Sequence, residues 1–172
     1  NRVFGYTNDD MKRILGLRLN KELFLCYFLM YVILLYFYKD SGSYQFREFI
    51  KPEKVIEEAD KYLADVTKRL SVFSAEDVGA ESFKAVGLLW DELPVTSTDD
   101  VQGQRAARNS KTGYVKLTFN FLVAQGLFVE NQDKYYPTDR FKAMAENYYS
   151  INRGRLYEIL TREEQEAQNA AD

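Results

Sequence analysis

From Leu23 to Tyr38 every residue is apolar or aromatic, and no other stretch of the chain limits its fold so sharply. A run of this kind forms either a helix covered on all sides or a membrane span. A bilayer core asks for about 20 apolar residues, whereas about 10 to 14 usually marks a buried helix. These sixteen residues fall between the two. The tyrosines at 27, 31, 36 and 38 are spread along the run instead of gathering at its ends as an interfacial belt would. Asn20 is a good N-cap before Lys21 and Glu22, and Lys39-Asp40-Ser41-Gly42 supplies a stop. The run is therefore read as a central core helix, part of which could dock a partner, with no membrane association.

The chain has 172 residues, 46% hydrophobic and 28% charged, enough for one domain or two small ones with a real core. Lys and Arg total 23 against 26 Asp and Glu, a net charge of -3, so any contact with nucleic acid must come from a local surface rather than bulk charge. Histidine is absent, which removes Ser-His-Asp and Cys-His catalysis and His-ligated metal sites. The single cysteine, Cys26, has no intrachain disulfide partner and lies in the apolar run, where thiols are normally inert. An intracellular, reducing, cytoplasmic setting follows as the expectation. The chain opens at Asn1 without Met or a signal layout and is read as a fragment of a longer polypeptide.

Asn8 with Asp9 and Asp10 reads as the cap and acidic first turn of a short helix to about Gly16. After the turn at Asp40-Ser41-Gly42-Ser43, Pro52 starts an amphipathic helix to about Leu70, with Val55, Ile56, Ala59, Leu63, Val66 and Leu70 on its apolar stripe. A further helix spans about Glu81 to Leu93, carrying Phe83, Val86, Leu89, Trp90 and Leu93, with Pro94 as its stop. Pro94 to Gln104 has linker composition. The expected division is a helical region over 1–94, a second domain over 105–161 and a polar tail over 162–172.

The second domain changes period along its length. Thr112 can cap a helix through Val115, Leu117, Phe119, Phe121, Leu122 and Ala124 to Gly126. Leu127 to Glu130, a turn at Asn131-Gln132-Asp133, and Lys134 to Pro137 read as strand, tight turn, strand. Pro137-Thr138-Asp139 starts a new helix with Phe141, Met144, Ala145, Tyr148 and Tyr149 at helical spacing, and another follows near Arg153 to Leu160.

Charge is segregated along the chain. Val101 to Val129 holds Arg105, Arg108, Lys111 and Lys116 and no acid, whereas Ser41 to Asp100 holds 13 acids and 7 bases. With Lys134 in the hairpin, these cations are the candidate DNA contacts, and Asn109, Ser110 and Thr112 could add neutral hydrogen bonds to phosphate. The alternative is a plain solvated surface. Tyr114 and Tyr135 are candidates for base stacking, although core packing is the stronger reading for most aromatics here. Asp9-Asp10, Glu57-Glu58, Asp91-Glu92 and Asp99-Asp100 are sequence neighbours that do not share a helix face, which makes them poor catalytic or metal dyads. Asp60 and Glu57 read as surface ion-pair partners of Lys54 and Lys61. No phosphate-cradling glycine string is present, and no cofactor is expected.

A helix closing on Gln125-Gly126-Leu127, a two-stranded wing, and a helix opened by Tyr136-Pro137-Thr138-Asp139-Arg140-Phe141 resemble the second half of a winged helix-turn-helix domain. Together with the acidic helical part before it, the chain resembles the kite proteins, tandem winged-helix subunits of bacterial SMC complexes of the MukE-like and Wadjet types. Asn1 to Leu93 shows no second wing hairpin, so the resemblance would place a first winged helix upstream. The expected fold is thus mainly α, a helical region followed by a winged helix-turn-helix with a small β-hairpin wing. The resemblance implies a non-catalytic, nucleoid-associated subunit that binds a kleisin-like chain and an SMC ATPase. It would assist contact with double-stranded DNA in chromosome maintenance or plasmid defence. The other reading is a free-standing winged-helix transcription regulator, commonly a homodimer on two half-sites.

Overall fold

Helix α1 (Asn8–Leu15) starts one residue earlier than the asparagine signal suggests, because Thr7 and Asp10 form a reciprocal cap. The Asp10 N–H donates to Thr7 Oγ1 at 3.1 Å, and the Thr7 N–H donates to Asp10 Oδ2 at 3.2 Å. The helix ends at Gly16, whose φ of 65° is the left-handed conformation that a residue lacking Cβ adopts without cost. A computed structural model supplies this architecture and describes residues 4–38, 47–70, 78–96 and 110–147.

Helix α2 (Asn20–Phe37) is the apolar run. Asn20 is its first residue and not its cap. That role falls to Glu22, whose carboxylate reaches back to accept the N–H groups of Leu19 at 2.9 Å and Arg18 at 3.1 Å. Leu23, Leu25, Cys26, Leu29, Val32, Ile33 and Phe37 are fully buried, and helices α1, α3, α4 and α5 all pack on it. By length and hydropathy α2 could cross a bilayer. Its surroundings are those of a core helix, as the spread of its tyrosines suggests.

After α2, Ile50 forms an isolated antiparallel bridge to Tyr135, with N–H to carbonyl distances of 3.0 and 2.9 Å in the two directions. Helix α3 (Pro52–Leu70) follows immediately. It buries Val55, Ile56, Ala59 and Leu63, while Lys54 and Lys61 on its outer face pair with Glu57 and Glu58. Helix α4 (Val78–Glu92) begins three residues before the expected Glu81 and buries Val86 and Trp90.

Helix α5 (Lys111–Ala124) is capped by Ser110, whose Oγ accepts the Gly113 N–H at 3.0 Å, rather than by Thr112. Strands β1 (Phe128–Asn131) and β2 (Lys134–Pro137) form the hairpin, with Val129 opposite Tyr136 and Asn131 opposite Lys134. Asn131 is therefore paired, and the turn shortens to Gln132 and Asp133, with φ of 52° and 57°. This is the left-handed two-residue turn that matches strand twist. Thr138 caps the following helical residues 139–147 by accepting the Phe141 N–H at 3.3 Å. Tyr148, Tyr149, the helix expected near Arg153 to Leu160 and the tail lie outside the described residues.

The chain is mostly helical with a small β-hairpin wing, as expected for a winged helix-turn-helix. The placement of its parts differs from the expected division. Among the described residues, buried side chains from Met11 to Ala145 make one core that takes in parts from both sides of the expected boundary. Residue Ile50 flanks β2 on the side opposite β1, so α2, Ile50 and α3 contribute to the same unit as α5 and the wing. The physical reason is that the apolar faces of α5 and β2 need covering, and α2 and α3 supply the cover. An aromatic cluster marks the junction. Phe119 stacks on Tyr135 with centroids 3.8 Å apart, and Phe128 meets Phe119, Phe141 and Phe37.

Candidate nucleic-acid interface

Helix α5 precedes the wing and packs one face into the core they share. Its inner residues Tyr114, Val115, Thr118, Phe119, Phe121 and Leu122 are buried. Lys116, Asn120 and Ala124, spaced four apart, form its exposed stripe. The wing tip rises beside this stripe.

The five expected cations fare differently. Arg105 and Arg108, with Asn109, lie outside the described residues. Lys111 is turned inward: its side chain is 13% exposed, Nζ is 2.9 Å from Asp60 Oδ1 and 4.8 Å from the centre of the Trp90 ring. The Trp90 Nε1–H donates to the same Asp60 oxygen at 2.7 Å. This residue thus ties α3, α4 and α5 together, and its expected phosphate contact is corrected to a structural ion pair. Lys116 is exposed, but its Nζ meets Asp133 Oδ1 of the wing tip at 3.0 Å. Lys134 is half-buried, with Nζ 4.6 Å from the centre of the Phe49 ring. Glu130, also exposed, accepts the Asp133 N–H at 3.2 Å. The described part of the face is therefore close to electrically neutral.

The α5 N-terminus is also occupied. The Lys111 and Thr112 N–H groups donate to the carbonyls of Pro94 and Val95 at 2.9 and 3.0 Å. The Thr112 hydroxyl donates to Val95 O at 2.7 Å, and Ser110 is buried with Oγ engaged at Gly113. Neither hydroxyl is offered to a phosphate as the sequence suggests, because Pro94 and Val95, which follow α4, cover the first turn of α5. Tyr114 and Tyr135 are buried as well. Tyr114 donates its hydroxyl to Glu22 at 3.2 Å, and burial raises the pKa of the Tyr135 phenol, so both serve the core and not base stacking.

Sequence reasoning missed Asp60, Trp90 and Asp133. Asp60 does not pair with Lys54 or Lys61, which are held by Glu57 and Glu58. Its partners stand 30 and 51 positions away, and no local pattern announces them. The acidic pair Asp9 and Asp10 answers Lys12 and Arg13 on α1, as a solvated helix face would. Burial pushes the Cys26 thiol up to about 12. Among the described residues no group of three His, Cys, Asp or Glu could hold a metal ion.

Comparison with known proteins adds one finding. Residues 1–167 match the model of a family described as a family of unknown function, DUF6063. No curated protein and no solved structure matches the chain.

Proposed function

We propose that this chain, which belongs to the DUF6063 family, is a non-catalytic winged-helix subunit of an SMC-like complex. In this reading it docks a kleisin-like chain beside the SMC ATPase and adds a modest contact to double-stranded DNA through Arg105, Arg108, Lys116 and Lys134. The observation that carries it is the neutrality of the recognition face. A free-standing regulator draws a large share of its affinity from several phosphate contacts. Here the exposed cation of α5 is paired with Asp133 and the helix N-terminus is closed by Pro94 and Val95. Such a surface suits a subunit whose partners supply most of the DNA affinity. The fold and the absence of histidine agree with a binding role.

The test is a tagged pulldown from nuclease-treated lysate of the native host, read by mass spectrometry. Stoichiometric recovery of a large coiled-coil ATPase with a kleisin-like chain is expected. Recovery of the protein alone, together with tight sequence-specific DNA binding, overturns the proposal in favour of the regulator. A second measurement addresses the DNA interaction. Arg108→Glu with Lys116→Glu should weaken duplex binding and lower the magnitude of the salt slope by about 0.9 for each phosphate no longer neutralised. Unchanged affinity and slope rule out direct binding by these residues.

A further inference from the structure

The corner where α1 turns into α2 carries two exposed aliphatic side chains and two exposed cations without an ion pair among the described residues. Ile14 is 49% exposed and Leu19 52%. Residues 12–21 carry Lys12, Arg13, Arg18 and Lys21 and no carboxylate. Asp9 and Asp10 answer Lys12 and Arg13 at 3.0 and 3.5 Å. Arg18 and Lys21 are exposed, and neither side chain forms an ion pair among the described residues.

This corner is held in place. The Gly16 N–H closes on Arg13 O at 3.2 Å and the Leu17 N–H on Lys12 O at 2.8 Å. Glu22 takes the N–H groups of Arg18 and Leu19, and its other oxygen accepts the Tyr114 hydroxyl of α5. Satisfied backbone bonds hold the backbone of this corner in place, so covering Ile14 and Leu19 costs side-chain rotamer freedom but little backbone freedom.

We infer that the α1–α2 corner docks an acidic amphipathic segment of a protein partner. Its aliphatic side chains cover Ile14 and Leu19, and its carboxylates meet Arg18 and Lys21. Charge complementarity selects this occupant. A second copy of the chain, packed symmetrically, would bring the same cations against themselves. A DNA backbone would satisfy the cations but leave two aliphatic groups facing phosphates. A bilayer draws its affinity from a broad apolar face, and two side chains offer little area. The inference goes beyond the proposed complex and does not depend on it, since a peptide alone can test it.

The experiment selects a random peptide display library on the immobilised full chain, then measures the leading synthetic peptide by fluorescence anisotropy. Enriched sequences should combine net negative charge with paired aliphatic residues. Leu19→Ser, and separately Arg18→Glu with Lys21→Glu, should each weaken binding about tenfold or more. Lys84→Glu, on the exposed surface of α4, should leave it unchanged. All of these positions are exposed and none of the changes removes a cap, so no variant should melt below the wild type. Failure to enrich acidic sequences overturns the inference, as does peptide affinity indifferent to the corner variants. The same variants are tested on a DNA duplex and on phosphatidylcholine vesicles containing phosphatidylserine. Loss of duplex or vesicle binding with peptide binding intact assigns the corner to phosphate or lipid instead.

Discussion

Replacing Lys111 by Met separates a structural cation from a DNA-binding one. Methionine keeps most of the apolar stem, so the change removes mainly the ammonium and its two interactions. A charge-assisted hydrogen bond is worth about 1.5–3 kcal/mol when dry. Asp60 is 49% exposed, and solvent screening brings that figure down to about 1 kcal/mol. The cation over Trp90 adds about 0.5–1 kcal/mol. The expected loss is about 1.5–2 kcal/mol, which lowers Tm by about 3–8 °C in a chain of this size. Lys116→Met removes only the exposed pair with Asp133, worth about 0.5 kcal/mol or about 2 °C. Circular dichroism melts of both variants, at low and at high salt, check the difference. A double-mutant cycle of Lys111→Met with Asp60→Asn should return a coupling of about 1 kcal/mol. The reasoning fails if Lys111→Met melts with the wild type, and more decisively if it leaves Tm unchanged while lowering the salt slope of DNA binding.

Four further outcomes follow from the same geometry. Phe119→Ala, which deletes a fully buried ring stacked on Tyr135, should cost about 3–5 kcal/mol in urea unfolding; a loss below about 1 kcal/mol would mean that the wing does not share the core. Gln132→Asn places a better left-handed residue at φ 52° and should stabilise the fold by about 0.5 kcal/mol, so a lowered urea midpoint contradicts the turn. Cys26, buried and raised to about 12, should react with a thiol reagent in urea but hardly at all in the native protein near neutral pH; rapid native labelling would show that α2 opens. Hydrogen bonds from Lys61 and Lys54 lower the Glu57 pKa from 4.5 to about 2. That contribution is present above pH 4.5 and fades as pH falls towards 2. Because the carboxylate is exposed to solvent, Glu57→Gln should flatten only a small part of the acid loss of Tm at low salt, and nothing at high salt. A larger share would mean that the pair is drier than its exposure allows.

The sequence announced what is local and missed what is not. The apolar run, the proline that opens α3 and the alternation around a polar turn are each written within one element, and each produced that element. The caps slipped by one or two residues because several polar side chains compete at every helix start. Thr7, with a carboxylate three residues on, outranks Asn8, and Glu22 does for α2 what Asn20 could have done. The single bridge at Ile50 leaves no period to read. Nor could the spacing of apolar residues tell that the stripes of α2, α3 and α5 face one another rather than separate cores. The candidate site suffered most. Its cations were legible as charges, but their partners Asp60, Trp90, Asp133 and the Phe49 ring come from other elements, and only the fold decides which lysines remain for a ligand.

The bridge between Ile50 and Tyr135 also governs how the molecule can be made. One of the residues that flank the wing leaves the ribosome early, and the strand it joins leaves much later. Until then the Ile50 backbone must keep its hydrogen-bonding groups on water. Closing the loop between such distant stretches costs chain entropy before the contact forms, which slows this step relative to pairing of sequential hairpins. An unfinished chain would leave the Phe119 ring without Tyr135 throughout that interval, which makes this aromatic face the segment for a chaperone to hold. Truncation before β2 should therefore leave an aggregating chain, not a stable helical remnant.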